Sequence, residues 1–425
     1  MSNANLARRQ SVLISPPIFD VALWFPLLFL AVSVPMLALR RNVTSGDITG
    51  EVSVVYGAVV YAVMGLLSIL LFRHRFALRG LFTPSDLPLI LFFLFIVLQA
   101  IAFQSTMIAL QAGVFACGIV AIRAACFSAR FRKGLFLTSV ALILFIGFSY
   151  LTLGPPVGRW LGGIHPNVFG AVCVGAFSLS LFGPHWWRDV TLVVVLAVSV
   201  SLSSRYTMVT SVMIYAIFSM LNWRAVGQVR ITIIALIVLI ALLGMVIDPN
   251  SSPVASALEL NDRSRGLGSG ISGRDKNWMN FLPQFFEQPL AGYGFRNRQA
   301  YISPHNGFME IILQVGLVGS VLFFGFYLNR LRNLAVEVIN SPRSMERGKL
   351  LSILIGVSFG AMLQPQLFSF GDPFGIVAMV CLFCINGLES SGALSFSKGQ
   401  KVADTSREGH RNTHLQNTHL QNAHS

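Results

Sequence analysis

The sequence predicts an all-α protein that crosses a membrane about twelve times. Three observations carry that prediction. Of 425 residues, 54% are hydrophobic and only 11% are charged, whereas a soluble domain carries roughly a quarter charged residues. At ~20 apolar residues per crossing, the long uncharged stretches count to about twelve. Basic residues are also divided unevenly between the two sets of connecting loops. An ordinary water-soluble enzyme is excluded.

The first apolar run, about Ile18 to Leu39, follows a short segment carrying Arg8 and Arg9. It is too long for the apolar region of a cleaved signal peptide, so it is expected to stay in the membrane. Further runs lie near 52–72, 87–103, 105–122, 135–153, 166–182, 190–204, 206–222, 231–247, 306–328, 350–370 and 373–388. The stretch from Leu87 to Ile122 is too long for one crossing and has Gln104, Ser105 and Thr106 near its middle, which predicts a tight hairpin. From Val190 to Trp223 the one charge is Arg205, flanked by Ser203, Ser204 and Thr207, and a second hairpin with Arg205 at its tip follows.

The formal charge of +14 would suggest a nucleic-acid partner on a soluble protein. Here it reads as orientation. With the N-terminus cytoplasmic, the cytoplasmic segments hold 21 Lys and Arg and the opposite side 10. Six of those ten fall in one long loop, 248–304, and long segments translocate largely regardless of charge. The short-loop contrast is then 21 against 4, with Arg40 and Arg41 as the exceptions. The resulting division is a cytoplasmic N-terminus (1–17), nine spans (18–247), the long outer loop (248–304), three spans (305–388) and a polar cytoplasmic tail (389–425). The tail repeats N-T-H-L-Q at Asn412 and Asn417 and is expected to be disordered, since nothing apolar is available to fold it.

The five cysteines all fall in or beside apolar runs and imply no disulfide framework. Cys381 and Cys384 form a C-x-x-C inside an expected span and read as small packing residues.

Within the long loop, Gly268, Gly270 and Gly273 match G-x-G-x-x-G, but no strand precedes them and the segment faces away from cytoplasmic nucleotides. The same stretch resembles a phosphate-binding loop with Arg274 and Asp275 in place of Lys and Ser/Thr, which removes that chemistry. No D-x-D pair is present for a carboxylate-bound metal. More specific is Ser272 with Asp275 at capping-box spacing, followed by Trp278, Phe281, Leu282 and Phe285 at helical intervals. Gly273 to about Leu282 is expected to be a short amphipathic helix on the membrane interface, ended or kinked by Pro283. Arg274 falls in its first turn, where free backbone N–H groups favour an anion.

Arg205 is a second cation at membrane depth on the same side, where charge is costly and normally marks a function or a pair. Ser303, Pro304 and His305 form a third element, expected as N-cap, first helical position and first turn of the next span. The positive end of that helix would keep His305 neutral and able to accept a proton.

These residues resemble the O-antigen ligase and polymerase membrane family. The carrying pieces are S-S-R at Ser203 to Arg205, S-G-R-D-K-N-W at Ser272 to Trp278, P-L-A-G-Y-G at Pro289 to Gly294, and H-N-G-F-M-E-I-I-L-Q-V-G-L-V-G at His305 to Gly319. An earlier W-L-G-G-I-H-P-N, Trp160 to Asn167, is similar to exopolysaccharide polymerisation proteins of the succinoglycan type. The resemblance implies a glycosyltransferase-C-like architecture in the bacterial inner membrane, with a periplasmic catalytic loop. It implies as substrate an oligosaccharide on undecaprenyl diphosphate, held beside membrane lipid. A chain-length regulator and export proteins are the further partners it implies, with no nucleic acid, no cofactor and no metal.

By the same resemblance, Arg205 and Arg274 bind the diphosphate and His305 activates the acceptor hydroxyl. Asn306, His165, Asn167, Trp278, Gly292, Gly294 and Glu310 are the expected substrate-binding positions. Where the family often has Glu shortly before the helix glycine, this chain has Gln314, which cannot serve as a base. Glu310, one turn earlier, either substitutes for it or packs the helix. His165 either contacts an acceptor sugar or begins a helix after Pro166.

The leading expectation is an inverting, metal-independent polymerisation of lipid-linked repeats, with a ligase that transfers to lipid A-core as its alternative. A multi-pass transporter or flippase of lipid-linked sugars is a rival, although transporters gather their charges near the midplane. A noncatalytic export partner is another, and it would tolerate loss of His305.

Overall fold

The computed structural model describes residues 21–38, 82–222, 274–365, 367–368 and 373–384, apart from 127, 129, 158–159, 298–299 and 341–344. The runs expected at 52–72 and 231–247, the glycine-rich stretch before Arg274 and the tail lie outside the described residues. All regular structure described is helical. After a 3-10 turn at Val21–Trp24 come α1 (Phe25–Ala38), α2 (Leu87–Ala102), α3 (Thr106–Cys126) and α4 (Phe131–Leu153). They are followed by α5 (Pro166–Ser180), α6 (His185–Ser201), α7 (Arg205–Leu221), and the short α8 (Arg274–Met279) and α9 (Phe281–Glu287). The long α10 (Gly307–Asn340), α11 (Met345–Ala361) and α12 (Pro373–Phe383) complete the described set.

Ten of the twelve expected apolar runs thus coincide with described helices. Four spans among the described residues are long and apolar enough to cross a membrane: Pro84–Ala102, Thr106–Cys126, Phe131–Leu153 and Gly307–Asn340. This falls short of the expected twelve. The protein is an all-α, multi-pass membrane protein at that level of description.

The faces of α2 show why such a helix suits lipid. Leu89, Phe92, Ile96 and Gln99 turn inward, while Leu87, Ile90, Leu91, Leu94, Val97, Leu98 and Ile101 form an exposed apolar stripe at helical spacing. Helix α5 is buried all round except at Asn167, as expected of a helix at the centre of a bundle. Both predicted hairpins are present. Gln104 turns the first through a left-handed φ of 50°, and Ser203 turns the second at 49°. In the first the Ser105 N–H closes onto the Ala100 carbonyl at 3.0 Å, and in the second Ser204 closes onto Ser199 at 2.8 Å.

The structure corrects two readings. Arg123 and Arg330, expected in cytoplasmic loops, lie inside α3 and α10, buried around Asp86 at the start of α2. The Asp86 carboxylate accepts from Arg123 at 2.8 and 2.5 Å and also from Arg330. A guanidinium that donates in a fixed fork can be held this way at a membrane depth where a lone charge could not. Cys126, at the end of α3, and Cys384, just beyond α12, are joined as a disulfide with Cα atoms 5.3 Å apart. The odd number of cysteines gave no hint of this pair, which closes across 258 residues of sequence.

Candidate active site

Helix α5 packs its first turns against the tip between α6 and α7. A Cβ on Gly170 would stand 3.0 Å from the Ser204 hydroxyl and 3.2 Å from the Tyr206 ring. At the tip the Ser204 and Thr207 hydroxyls bond each other at 2.7 Å. Arg205 follows as the first residue of α7, half-buried, as the hairpin predicted. His165 is the N-cap of α5: its Nδ1 accepts the Asn167 N–H at 3.2 Å, and Trp160 meets its ring edge-on at 5.1 Å. His165 therefore does begin a helix, with Pro166 at the first helical position, where a missing N–H costs nothing.

A second group of expected site residues is built on a break in α10. At Gly316 the backbone has φ 61° and ψ −166°, a region open essentially to glycine alone. The break frees the carbonyls of Leu313 and Gln314 and the N–H groups of Leu317 and Val318. All four are re-paired by the loop that carries P-L-A-G-Y-G. The N–H groups of Tyr293 and Gly294 donate to Leu313 and Gln314 at 2.8 and 3.0 Å. Leu317 and Val318 donate to the carbonyls of Pro289 and Leu290 at 2.8 and 3.3 Å. These four groups are thereby paired with the loop instead of being left open in an apolar surrounding, where an unsatisfied backbone group is costly.

Gln99 of α2 stitches the same loop from behind. Its Nε2 donates to the Ala291 carbonyl and, at 3.1 Å, to that of Gln314, while its Oε1 accepts from Phe295 N–H at 3.3 Å. Sequence reasoning passed over Gln99. The signal was present, because it is the lone amide in an otherwise apolar run. Tyr293 and Tyr301 were also missed. The Tyr293 hydroxyl donates to the Gln284 carbonyl at 3.0 Å and to Glu287 at 2.5 Å. Burial and the neighbouring carboxylate push this phenol up to about 12, so it stays a donor at neutral pH.

Several expected substrate positions lie in this framework. Gly292 and Gly294, with φ of 69° and 100°, are buried in the seam of loop and helix. Asn306 is a buried N-cap whose Oδ1 accepts from Phe308 and Met309 N–H at 3.0 and 3.2 Å. Both oxygens of Glu310 accept from the chain's own groups, one from Ser303 and the other from Tyr301 and Gln314. Gln314 also donates to the Tyr301 hydroxyl at 2.8 Å, and its Oε1 accepts from Arg296 N–H at 3.2 Å.

The expected entry into α10 needs correcting. The helix begins at Gly307, not at Pro304, because Asn306 is the better cap. His305 precedes that cap with a left-handed φ of 52° and is half-buried. The amphipathic element is corrected too. It is two helices broken at Asn280, and Pro283 falls in the first turn of α9, where it needs no N–H partner. Met279, Leu282 and Phe286 are its exposed apolar side chains, and Leu290 in the loop that follows is exposed too. Trp278 is half-buried. Arg274 heads α8, and its side chain, like the capping pair expected at Ser272 and Asp275, lies outside what the structure describes.

Antiparallel packing of α7 on α11 gathers these pieces. A Cβ on Gly360 would stand 2.7 Å from the Thr210 hydroxyl, and one on Gly307 would stand 3.1 Å from the Gln364 carbonyl just beyond α11. The Arg205 tip, the His165 cap and the His305 turn are thereby brought to one end of the bundle. The Asp86 cluster is at the other. That end of the bundle carries the half-buried Arg205, the half-buried imidazole-bearing residues His165 and His305, and the polar groups of Ser303, Asn306 and Glu310.

No curated protein matches the chain. Residues 190–324, which run from the Arg205 hairpin through the broken half of α10, match the O-antigen ligase family model, so the chain carries a segment similar to that family.

Proposed function

We propose that this protein transfers a glycan from undecaprenyl diphosphate to an acceptor hydroxyl at the outer face of the bacterial inner membrane, in a ligase-type reaction. The observation that carries this reading is the O-antigen ligase match over 190–324, which encloses both Arg205 and His305. The acceptor oxygen attacks the anomeric carbon, and the bond from that carbon to the diphosphate oxygen breaks. The leaving diphosphate departs with the electron pair. One displacement inverts the anomeric centre. Arg205 and Arg274 stabilise the departing charge, and His305 takes the hydroxyl proton. The reading keeps the expected topology of about twelve crossings with 248–304 outside, supported by the short-loop charge contrast.

A second reading, polymerisation of lipid-linked repeats, draws on a separate observation: His165, in the succinoglycan-like stretch, caps α5 beside the Arg205 tip. One experiment separates the two. The full chain in lipid nanodiscs is given lipid-linked oligosaccharide with either lipid A-core or a second lipid-linked repeat as acceptor. Ligation needs lipid A-core, whereas polymerisation yields a ladder without it. His305→Ala, Arg205→Ala and Arg274→Ala should each abolish product. Product formed equally well by all three variants refutes the assigned chemistry, and labelled carrier that merely changes leaflet favours the flippase.

A further inference from the structure

Glu310 sits one turn into α10 and is 1% exposed, so it is not offered to a substrate. An ionised or protonated carboxyl at such depth requires donors, and this one has three: the Ser303 and Tyr301 hydroxyls and the Gln314 amide. The Ser303 hydroxyl is bonded at both ends. While donating to Glu310, it accepts the backbone N–H of His305 at 3.2 Å. That N–H belongs to a residue in the left-handed region at φ 52°, a conformation that persists only when its surroundings impose it. The backbone that carries this side chain is fixed as well, since the Glu310 N–H bonds the Asn306 carbonyl at 2.8 Å at the start of the helix.

We infer that Glu310 is a positioning residue which, through Ser303, holds His305 in the left-handed backbone conformation that presents its imidazole to the acceptor. This deepens the function proposed above and rests on it. Glu310 neither replaces the base nor touches sugar; its work is transmitted through one hydroxyl. Gln314 and Tyr301 complete the cradle, so the glutamine that stands where the family often has a carboxylate is a donor to this acid, at 3.4 Å.

The test measures transfer by the full chain in nanodiscs with lipid-linked oligosaccharide as donor. The variants are Glu310→Gln, Ser303→Ala, Ser303→Thr, the Glu310→Gln/Ser303→Ala double and His305→Ala. A misplacement of about 1 Å at a reacting group costs on the order of 100-fold. Accordingly, Glu310→Gln and Ser303→Ala should lower kcat roughly 10- to 100-fold with KM for the donor nearly unchanged. Ser303→Thr, which keeps the hydroxyl, should recover most of the rate, and the double variant should be no worse than the poorer single. If His305→Ala is dead while Ser303→Ala turns over normally, the positioning role is overturned and the proposed function stands. The role is equally overturned if the two single effects multiply. If His305→Ala is active, the proposed function itself fails. Should Glu310→Gln not fold, Ser303→Ala and Ser303→Thr still decide the matter, because loss of rate in the first and its recovery in the second are both required.

Discussion

Gly292 and Gly316 face each other backbone to backbone. A Cβ on Gly292 would stand 2.5 Å from the Gly316 nitrogen, and one on Gly316 would stand 2.6 Å from the Gly292 nitrogen. Both have positive φ. Gly316→Ala is therefore expected to destabilise the protein by about 3 kcal/mol, from the glycine-only conformation and the clash together. Gly292→Ala should act in the same direction. Thermal unfolding in detergent measures both, and the double variant should cost less than the sum, because either substitution already opens the seam.

Gln99→Leu removes the amide that holds the loop from behind. It leaves the Ala291 carbonyl and the Phe295 N–H without the partner they have now, at about 1 to 3 kcal/mol for such a loss. Hydrogen exchange should report it locally, with faster exchange at Tyr293 and Gly294 and little change in α5.

Replacing Asp86 by Ala strands two buried guanidinium groups. Breaking a buried pair from one side costs about 3–5 kcal/mol, so this variant should express poorly and unfold early. Transfer by the surviving folded fraction should be close to normal, because the cluster is at the end of the bundle away from His305. Specific activity per folded molecule checks that separation.

The Tyr293 phenol is raised from its ordinary value of 10 to about 12. A group raised on folding contributes stability that is complete below pH 10 and is lost as pH climbs towards about 12. Docking of the loop should weaken in that window, seen as faster proteolysis near Gln288. Tyr293→Phe should remove the pH dependence of the cleavage.

Much of the architecture was legible because membrane helices advertise themselves by length and apolarity. Both hairpins were readable from small polar groups, Gln104 with Ser105 and Ser203 with Ser204, interrupting runs too long for one crossing. The start of α10 was misread because Ser303-Pro304 carries a valid cap signature, and only the geometry shows Asn306 taking that part. Pro283 was misread because a proline ends one helix as readily as it opens the next. The break at Gly316 could not be seen locally. Its cause lies in the loop beginning at Pro289, and no periodicity within α10 encodes a partner so distant along the chain. The same reason hid the Asp86 cluster, whose members come from three helices, and the disulfide between Cys126 and Cys384.

Because the loop replaces the hydrogen bonds missing at Gly316, the short rod from Gly307 to Val315 is spliced to a second strand of backbone rather than hinged on its own helix. Tugging on that loop, whether by lipid pressing on Leu290 and Phe286 or by a bound chain, would drag the rod and the histidine in front of it along. The exposed apolar side chains of the loop and His305 would then travel together.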